Sequence, residues 1–157
     1  MRPRWLSQYD RDVAIQGDYE PSPAQFVADQ VALYESTDGV EGGTLMDKPV
    51  IILTTKGRHS SKVRKTPLMR VEDNGTYAVI ASMGGAPKNP VWYLNLVAST
   101  AVTLQDGANV YELTAREVDG DERARWWDIA VEAWPGYADY QKSTDRKIPV
   151  IVLDPAS

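Results

Sequence analysis

The apolar positions change period along the chain, and those changes divide it into elements. Val27, Val31 and Tyr34 recur three or four residues apart, which places them on one face of a helix. Ser22 and Pro23 give that helix a start, since serine accepts an orphan amide hydrogen and proline fits the first turn; it is expected to run to about Ser36. TDGVEGGTL ends it. PVIILTT, Pro49 to Thr55, is an unbroken β-branched run and predicts a buried strand.

TPLMRVE (Thr66 to Glu72) and TYAVIAS (Thr76 to Ser82) flank Asp73-Asn74-Gly75. An Asn-Gly pair tolerates the positive φ angles of a tight turn, so these two runs are expected to pair antiparallel. AVTLQD and NVYELTAREV form a second hairpin about Gly107. Between the hairpins Gly84, Gly85 and Pro87 mark a loop, and Asn89 before Pro90 opens a short helix, PVWYLNLVAS. Asp119 and Glu122 have the spacing of a capping box ahead of a helix through Ala133. IPVIVL, Ile148 to Leu153, is a last buried strand. Successive hairpins with helices between them imply an α+β fold of mainly antiparallel pairing, not a doubly wound parallel sheet. Residues 1–22 have little periodicity and read as an arm whose Trp5, Tyr9 and Tyr19 can dock on the body; residues 23–157 form a single domain.

Composition narrows the chemistry. A chain of 157 residues, 43% hydrophobic and 25% charged, suits one globular domain. Its apolar runs are too short to cross a bilayer and MRPRWLSQYDRD lacks the apolar stretch of a secretory signal, so a cytoplasmic protein is expected. With no cysteine and a single histidine, a disulfide, a thiolate nucleophile and a metal site are not expected. A Ser/His/Asp triad would need His59, which has no nucleophile-elbow glycines around it. Hydrolase chemistry is set aside.

Charge is uneven. The formal net charge is -5, yet Lys56 to Arg70 holds six of the 17 basic residues and none of the 22 acidic ones. Nucleic acid needs a broad basic face, so no nucleic-acid partner is expected. A short basic run on an acidic background suits a small anion; solvated loop charge is the plain alternative.

Three segments resemble the deazaflavin-dependent nitroreductases, split-barrel oxidoreductases that use coenzyme F420: ILTTKGRHSSKVRKTPL, VIASMGGAPKNPVWYLNLVA and PGYADYQKSTDRKIPVIVL. The resemblance runs from about Val27 to Pro155. It implies a six-stranded, mainly antiparallel split β-barrel with flanking helices and a coenzyme groove along the barrel. F420 carries a phosphodiester and a glutamate chain. Arg58 and Arg64 match positions that hold this polyanionic tail, with Lys56, Lys62 and Lys65 adding attraction and His59, Ser60, Thr66 and Pro67 belonging to the same segment. Ser82, Met83, Gly84, Gly85, Ala86, Asn89 and Trp92 would take the ring, the glycines letting main chain approach a flat ligand. Tyr93 is expected in the core.

Ser82, Tyr137 and Tyr140 match the substrate side, where each can donate a hydrogen bond to a developing oxyanion. Met83 and His59 stand where the family often has lysine, and Trp134 where some relatives have tyrosine. The implied activity is hydride transfer from reduced F420 to small organic acceptors: quinones, activated alkenes or nitroaromatics. Two alternatives remain at this stage: a non-catalytic carrier of F420 or a lipid-like ligand, and a flavin mononucleotide- or haem-binding split barrel. Such barrels commonly pair as homodimers. Stable membrane insertion is not expected; peripheral contact could only come through Trp5 and nearby arginines.

Overall fold

The computed structural model describes Ile15 and residues 17–156. Trp5, Tyr9 and most of the expected arm lie outside the described residues. Helix α1 spans Gln25–Thr37. Ser22 does accept an amide, that of Ala24 at 3.1 Å, but the helix starts two residues later than its proline suggests. Val31 and Tyr34 are buried against Val50 and Ile52. The Tyr34 hydroxyl donates to the Val50 carbonyl at 3.1 Å and accepts from the Gly107 amide at 2.7 Å, pinning the helix to two strand regions.

Eight strands follow: β1 (Thr44–Leu45), β2 (Lys48–Lys56), β3 (Val63–Met69), β4 (Val71–Asp73), β5 (Thr76–Ile80), β6 (Ala101–Asp106), β7 (Asn109–Glu117) and β8 (Val150–Pro155). They run β1-β2-β6-β7-β8-β5-β4, with β3 on the other side of β2, and every strand pair is antiparallel. The α+β class and the antiparallel, curled half-barrel agree with expectation, but the described residues form eight strands rather than six. β2 is apolar from Val50 to Leu53 because both of its faces are covered there. Ile51 and Leu53 enter the barrel core with Val79, Leu104 and Ile151, while Val50 and Ile52 meet α1.

The expected strand Thr66–Glu72 is two strands. β3 begins earlier, at Val63, and pairs with β2 across the basic turn; only Val71–Asp73 pairs with β5. The break falls at Arg70, which bonds to Asp106 at 2.9 Å and lies over the Tyr77 ring, a tertiary corner without a local signal. Thus Arg64 and Lys65 are strand residues opposite Thr55 and Thr54, not loop residues. Asn74 and Gly75, with φ of 51° and 85°, make the expected tight turn.

Three further α-helices lie among the described residues: α2 (Val91–Ala98), α3 (Gly120–Ala133) and α4 (Gly136–Lys142). α2 starts after Pro90 rather than at Asn89, whose side chain is turned elsewhere. The capping box ahead of α3 does not form. Glu122 instead takes two bonds from Arg116, at 2.8 and 3.0 Å, and Asp119 pairs with Lys147, charge-assisted contacts outcompeting the neutral amides. Trp126 and Ala130 of α3 and Tyr137 of α4 join Ile80, Val150 and Val152 in a second core on the other side of the sheet.

Candidate functional site

A groove of about 250 Å³ opens where the two cores approach each other. Pro67 and Leu68 of β3 form one side, with Leu45 and Met46 from the β1–β2 turn at the rim. Ser82, Met83 and Gly84 form the loop side, Trp92 of α2 the floor, and Trp134, Tyr137 and Tyr140 the wall around α4. Ser82, Met83, Gly84, Pro67, Trp92, Tyr137 and Tyr140, expected from the sequence to serve one site, therefore meet at one groove.

Tyr137 is 5% exposed, and its ring lies edge-on to Tyr140, with centroids 6.2 Å apart and planes at 77°. Burial, with a smaller contribution from Tyr140, holds the Tyr137 hydroxyl pKa well above that of an ordinary tyrosine. It stays protonated and able to donate. Among the described residues, the hydroxyls of Ser82, Tyr137 and Tyr140 donate to no protein acceptor, so the groove wall carries three uncommitted O–H groups.

The loop is held in an unusual shape. Met83, Gly84 and Gly85 have φ of 48°, 63° and 83°, three successive left-handed residues. A Cβ on Gly84 would meet only open space, so main chain borders the groove there. At Gly85 a Cβ would lie 2.2 Å from Ser143 Oγ and 2.8 Å from the Tyr140 carbonyl oxygen. The loop thus packs onto the end of α4 at a distance only glycine permits.

Arg146 organises this loop, and sequence reasoning missed it. Its guanidinium donates to the carbonyls of Ala81 (3.0 Å), Ser82 (2.6 Å) and Ala86 (2.8 Å) and to Asn89 Oδ1 (2.8 Å). Asn89, Gly85 and Ala86 therefore sit in the loop's packing rather than among the residues lining the groove. A lone arginine in a polar run before β8 gives no sequence signal for that role. Leu45 and Met46 did give one, as two apolar residues between Gly43 and Asp47.

The basic hairpin stands beyond the groove lining. Lys56 and Val63 face each other across it, and the Gly57 amide closes it onto the Lys62 carbonyl at 2.7 Å. The Arg58 amide donates to the buried Asn95 side chain at 3.2 Å; Asn95 lies one turn along α2 from Trp92, so one short helix serves both groove and hairpin. Arg58 and His59 are exposed and contact each other at 3.0 Å, with Ser60 also exposed. Thr66 stands opposite Leu53 on β2.

The fold supplies carboxylates that the local sequence lacks. Arg64, its side chain 29% exposed, pairs with Glu20 at 2.9 Å; Lys62 lies 3.8 Å from the same carboxylate, and Lys65 pairs with Glu35 at 2.5 Å. Among the described residues, no carboxylate lies within ion-pair distance of Lys56 or Arg58. A larger hollow, about 510 Å³, lies at Lys48, Arg70, Glu72, Asp73 and Glu132 and shares only Met69 with the groove. Of its five charged residues, Arg70 is paired with Asp106, Glu72 lies 3.8 Å from Arg70 and Asp73 is paired with Arg125, so most of its charge is already engaged. The smaller groove has the unengaged hydroxyls and is the better candidate.

Comparison with known proteins identifies the chain's relatives. A family described as F420H(2)-dependent quinone reductase matches residues 26–155. An F420H(2)-dependent quinone reductase of Mycobacterium tuberculosis (strain ATCC 25618 / H37Rv) is 36% identical over 126 residues, covering 78% of this chain and 85% of that protein. A solved F420-H2 dependent reductase (FDR-A) is 52% identical with a TM-score of 0.65, covering 71% of this chain and 98% of its own. A second structure, described as a domain-swapped dimer, is 47% identical with a TM-score of 0.67 and covers 85% of this chain and all of its own.

Proposed function

The chain belongs to the F420H(2)-dependent quinone reductase family, and from that premise we propose that it passes a hydride from reduced F420 to quinones and related small electrophiles at this groove. The observation that carries the reading is the buried Tyr137, which lines the groove and whose protonated hydroxyl has no protein partner among the described residues. The residues present suit a flat heterocycle. The lining is mostly apolar, the main chain at Gly84 is unshielded, and the groove lies in the same α2–β3 region as the cationic hairpin.

When bound, the reduced coenzyme supplies the hydride. The chain's own residues bind, orient and protonate. Pro67, Leu68 and Trp92 offer flat apolar contact, and Trp134 narrows the groove from the α3–α4 side. Lys56 and Arg58 are placed to attract a polyanionic tail, with Arg64 available if Glu20 yields it. Tyr137, with Ser82 and Tyr140 beside it, donates a hydrogen bond to an acceptor oxygen as negative charge develops there. The groove lining would then contribute chiefly by orienting coenzyme and acceptor against each other. Activated alkenes and nitroaromatics fall within the proposed range because their developing charge also rests on oxygen.

The exposed apolar residues Leu45, Met46 and Met83 around the mouth favour hydrophobic acceptors. Among the described residues, no helix is long and apolar enough to cross a membrane. A homodimer is the proposed assembly, supported by the dimeric solved relative and testable by light scattering.

Titrating the purified protein with F420, flavin mononucleotide and haem tests the coenzyme, and only F420 is expected to bind at micromolar concentration. Stopped-flow oxidation of F420H2 on adding a naphthoquinone, an enone or a nitroaromatic tests the reaction. Binding without acceptor-dependent oxidation would make the protein a carrier instead.

A further inference from the structure

We propose that Arg146 is a positioning residue, whose guanidinium fixes the Ala81–Asn89 loop and thereby sets where Ser82, Met83 and Gly84 stand opposite Tyr137. The inference rests on the functional reading above, but its first readout does not. Four donor contacts leave one side chain and reach both ends of the loop: Ala81 and Ser82 before the left-handed turn, Ala86 and Asn89 after it. A planar fork with five N–H groups can span such acceptors; a lysine ammonium, a single point on a flexible stem, cannot.

The loop needs an external clamp. Its internal bonds are only Gly85 N–H to the Ser82 carbonyl (2.9 Å) and Ala86 N–H to the Met83 carbonyl (3.1 Å). Met83 adopts φ 48° with a side chain, a strained choice that must be enforced from outside. Among the described residues Arg146 has no carboxylate within ion-pair distance. Its charge is directed at carbonyl oxygens instead, which makes it an organiser of main chain rather than half of an ion pair.

Arg146 is itself held from the other side of the groove. The Gln141 side chain of α4 donates to the Arg146 carbonyl at 2.8 Å and accepts from the Ile148 amide at 3.0 Å. Gly85 packs on Tyr140 and Ser143 at the same end of α4. The coenzyme-side loop and the helix bearing Tyr137 and Tyr140 are therefore fastened to one segment, and Arg146 is the link between them.

The test compares wild type with Arg146→Ala and Arg146→Lys, using Val31→Ala, in the separate core beneath α1, as a variant destabilised away from the loop. Amide hydrogen exchange of residues 81–89 in coenzyme-free protein is the first readout, and F420 affinity by fluorescence titration the second. In Arg146→Ala, loop exchange is expected to rise at least tenfold and F420 affinity to fall at least tenfold. Millimolar guanidinium chloride should partly restore both, while equal sodium chloride should not. Arg146→Lys should recover little, and Val31→Ala should lower the melting temperature without changing either readout.

Unchanged loop exchange in Arg146→Ala overturns the proposal, as does faster exchange with unaltered F420 affinity, or guanidinium that restores only the melting temperature. If Arg146→Ala does not fold, Asn89→Ala removes a single acceptor; a smaller rise in loop exchange is then expected, and no rise overturns the proposal. Wild-type protein that binds no F420 sinks the function proposed above, while the exchange measurements still decide for or against the clamp.

Discussion

Arg64 donates to Glu20, 44 positions earlier in the chain, at 2.9 Å. A stretch without carboxylates in sequence thus receives one in space, and the same carboxylate lies 3.8 Å from Lys62. Glu20 would therefore compete with the anionic tail proposed to bind at the hairpin. Glu20→Gln is expected to tighten F420 binding at low salt by roughly two- to fivefold, the range that a partly exposed ion pair allows. Fluorescence titration at two ionic strengths checks this; unchanged affinity would remove Arg64 from the coenzyme's path.

Tyr137→Phe deletes one oxygen and leaves the ring contacts with Trp127 and Tyr140 in place. Turnover is expected to fall by about tenfold or more, within the span of a lost proton donor, while F420 affinity stays near wild type. Single-turnover oxidation of F420H2 separates the two. Loss of binding in proportion to rate would place the hydroxyl on the coenzyme instead of the acceptor.

Gly84 and Gly85 have similar backbone signs and different surroundings, so they separate strain from crowding. Gly85→Ala must push aside Ser143 and the Tyr140 carbonyl as well as adopt φ 83°, and should cost about 1 to 3 kcal/mol or more. Gly84→Ala faces open space and should lose about 1 to 2 kcal/mol, from its left-handed backbone alone. Urea unfolding of both variants checks the order. Equal losses would mean that the contact with α4 is not tight.

Alkaline pH should unfold this protein in a particular way. Burial raises the hydroxyl pKa of Tyr34, Tyr77, Tyr93 and Tyr137, with Asp106 adding to the effect at Tyr77 and Glu117 pushing Tyr93 up to about 12. Each folded pKa exceeds the unfolded value of about 10, so the protons are held more tightly when folded. Their stabilising contribution is fully present below about pH 10 and is lost as pH rises through the folded values. Melting temperature should stay flat with respect to these groups up to that point and fall above it, less steeply in Tyr77→Phe. An equal slope in that variant would count against the Tyr77–Asp106 contact as the cause.

Local signals in the sequence carried much of the fold. The α1 face at Val31 and Tyr34, the doubly covered β2 and the Asn74-Gly75 turn all depend on neighbours a few residues apart. The start of β3 carries no local signal because Arg64 and Lys65 make it polar, and its end carries none because Arg70 turns the corner with help from Asp106. The groove residues came from a family resemblance, and the fold does bring Ser82, Met83, Tyr137 and Tyr140 together. What no local pattern encodes are the partners across space: Glu20 for Arg64, Glu35 for Lys65, and the loop for Arg146.

One edge of the sheet carries a further implication. Val63 turns both its amide and its carbonyl outward to Asp18 and Glu20, at 2.9 Å each, so alternate residues of β3, including Pro67, present their backbone to that same margin. Pro67 has no hydrogen to offer there. An imino acid thus blunts a border that would otherwise invite an incoming strand from another molecule, and an alanine in its place would make the protein more prone to fibre-like clumping when concentrated.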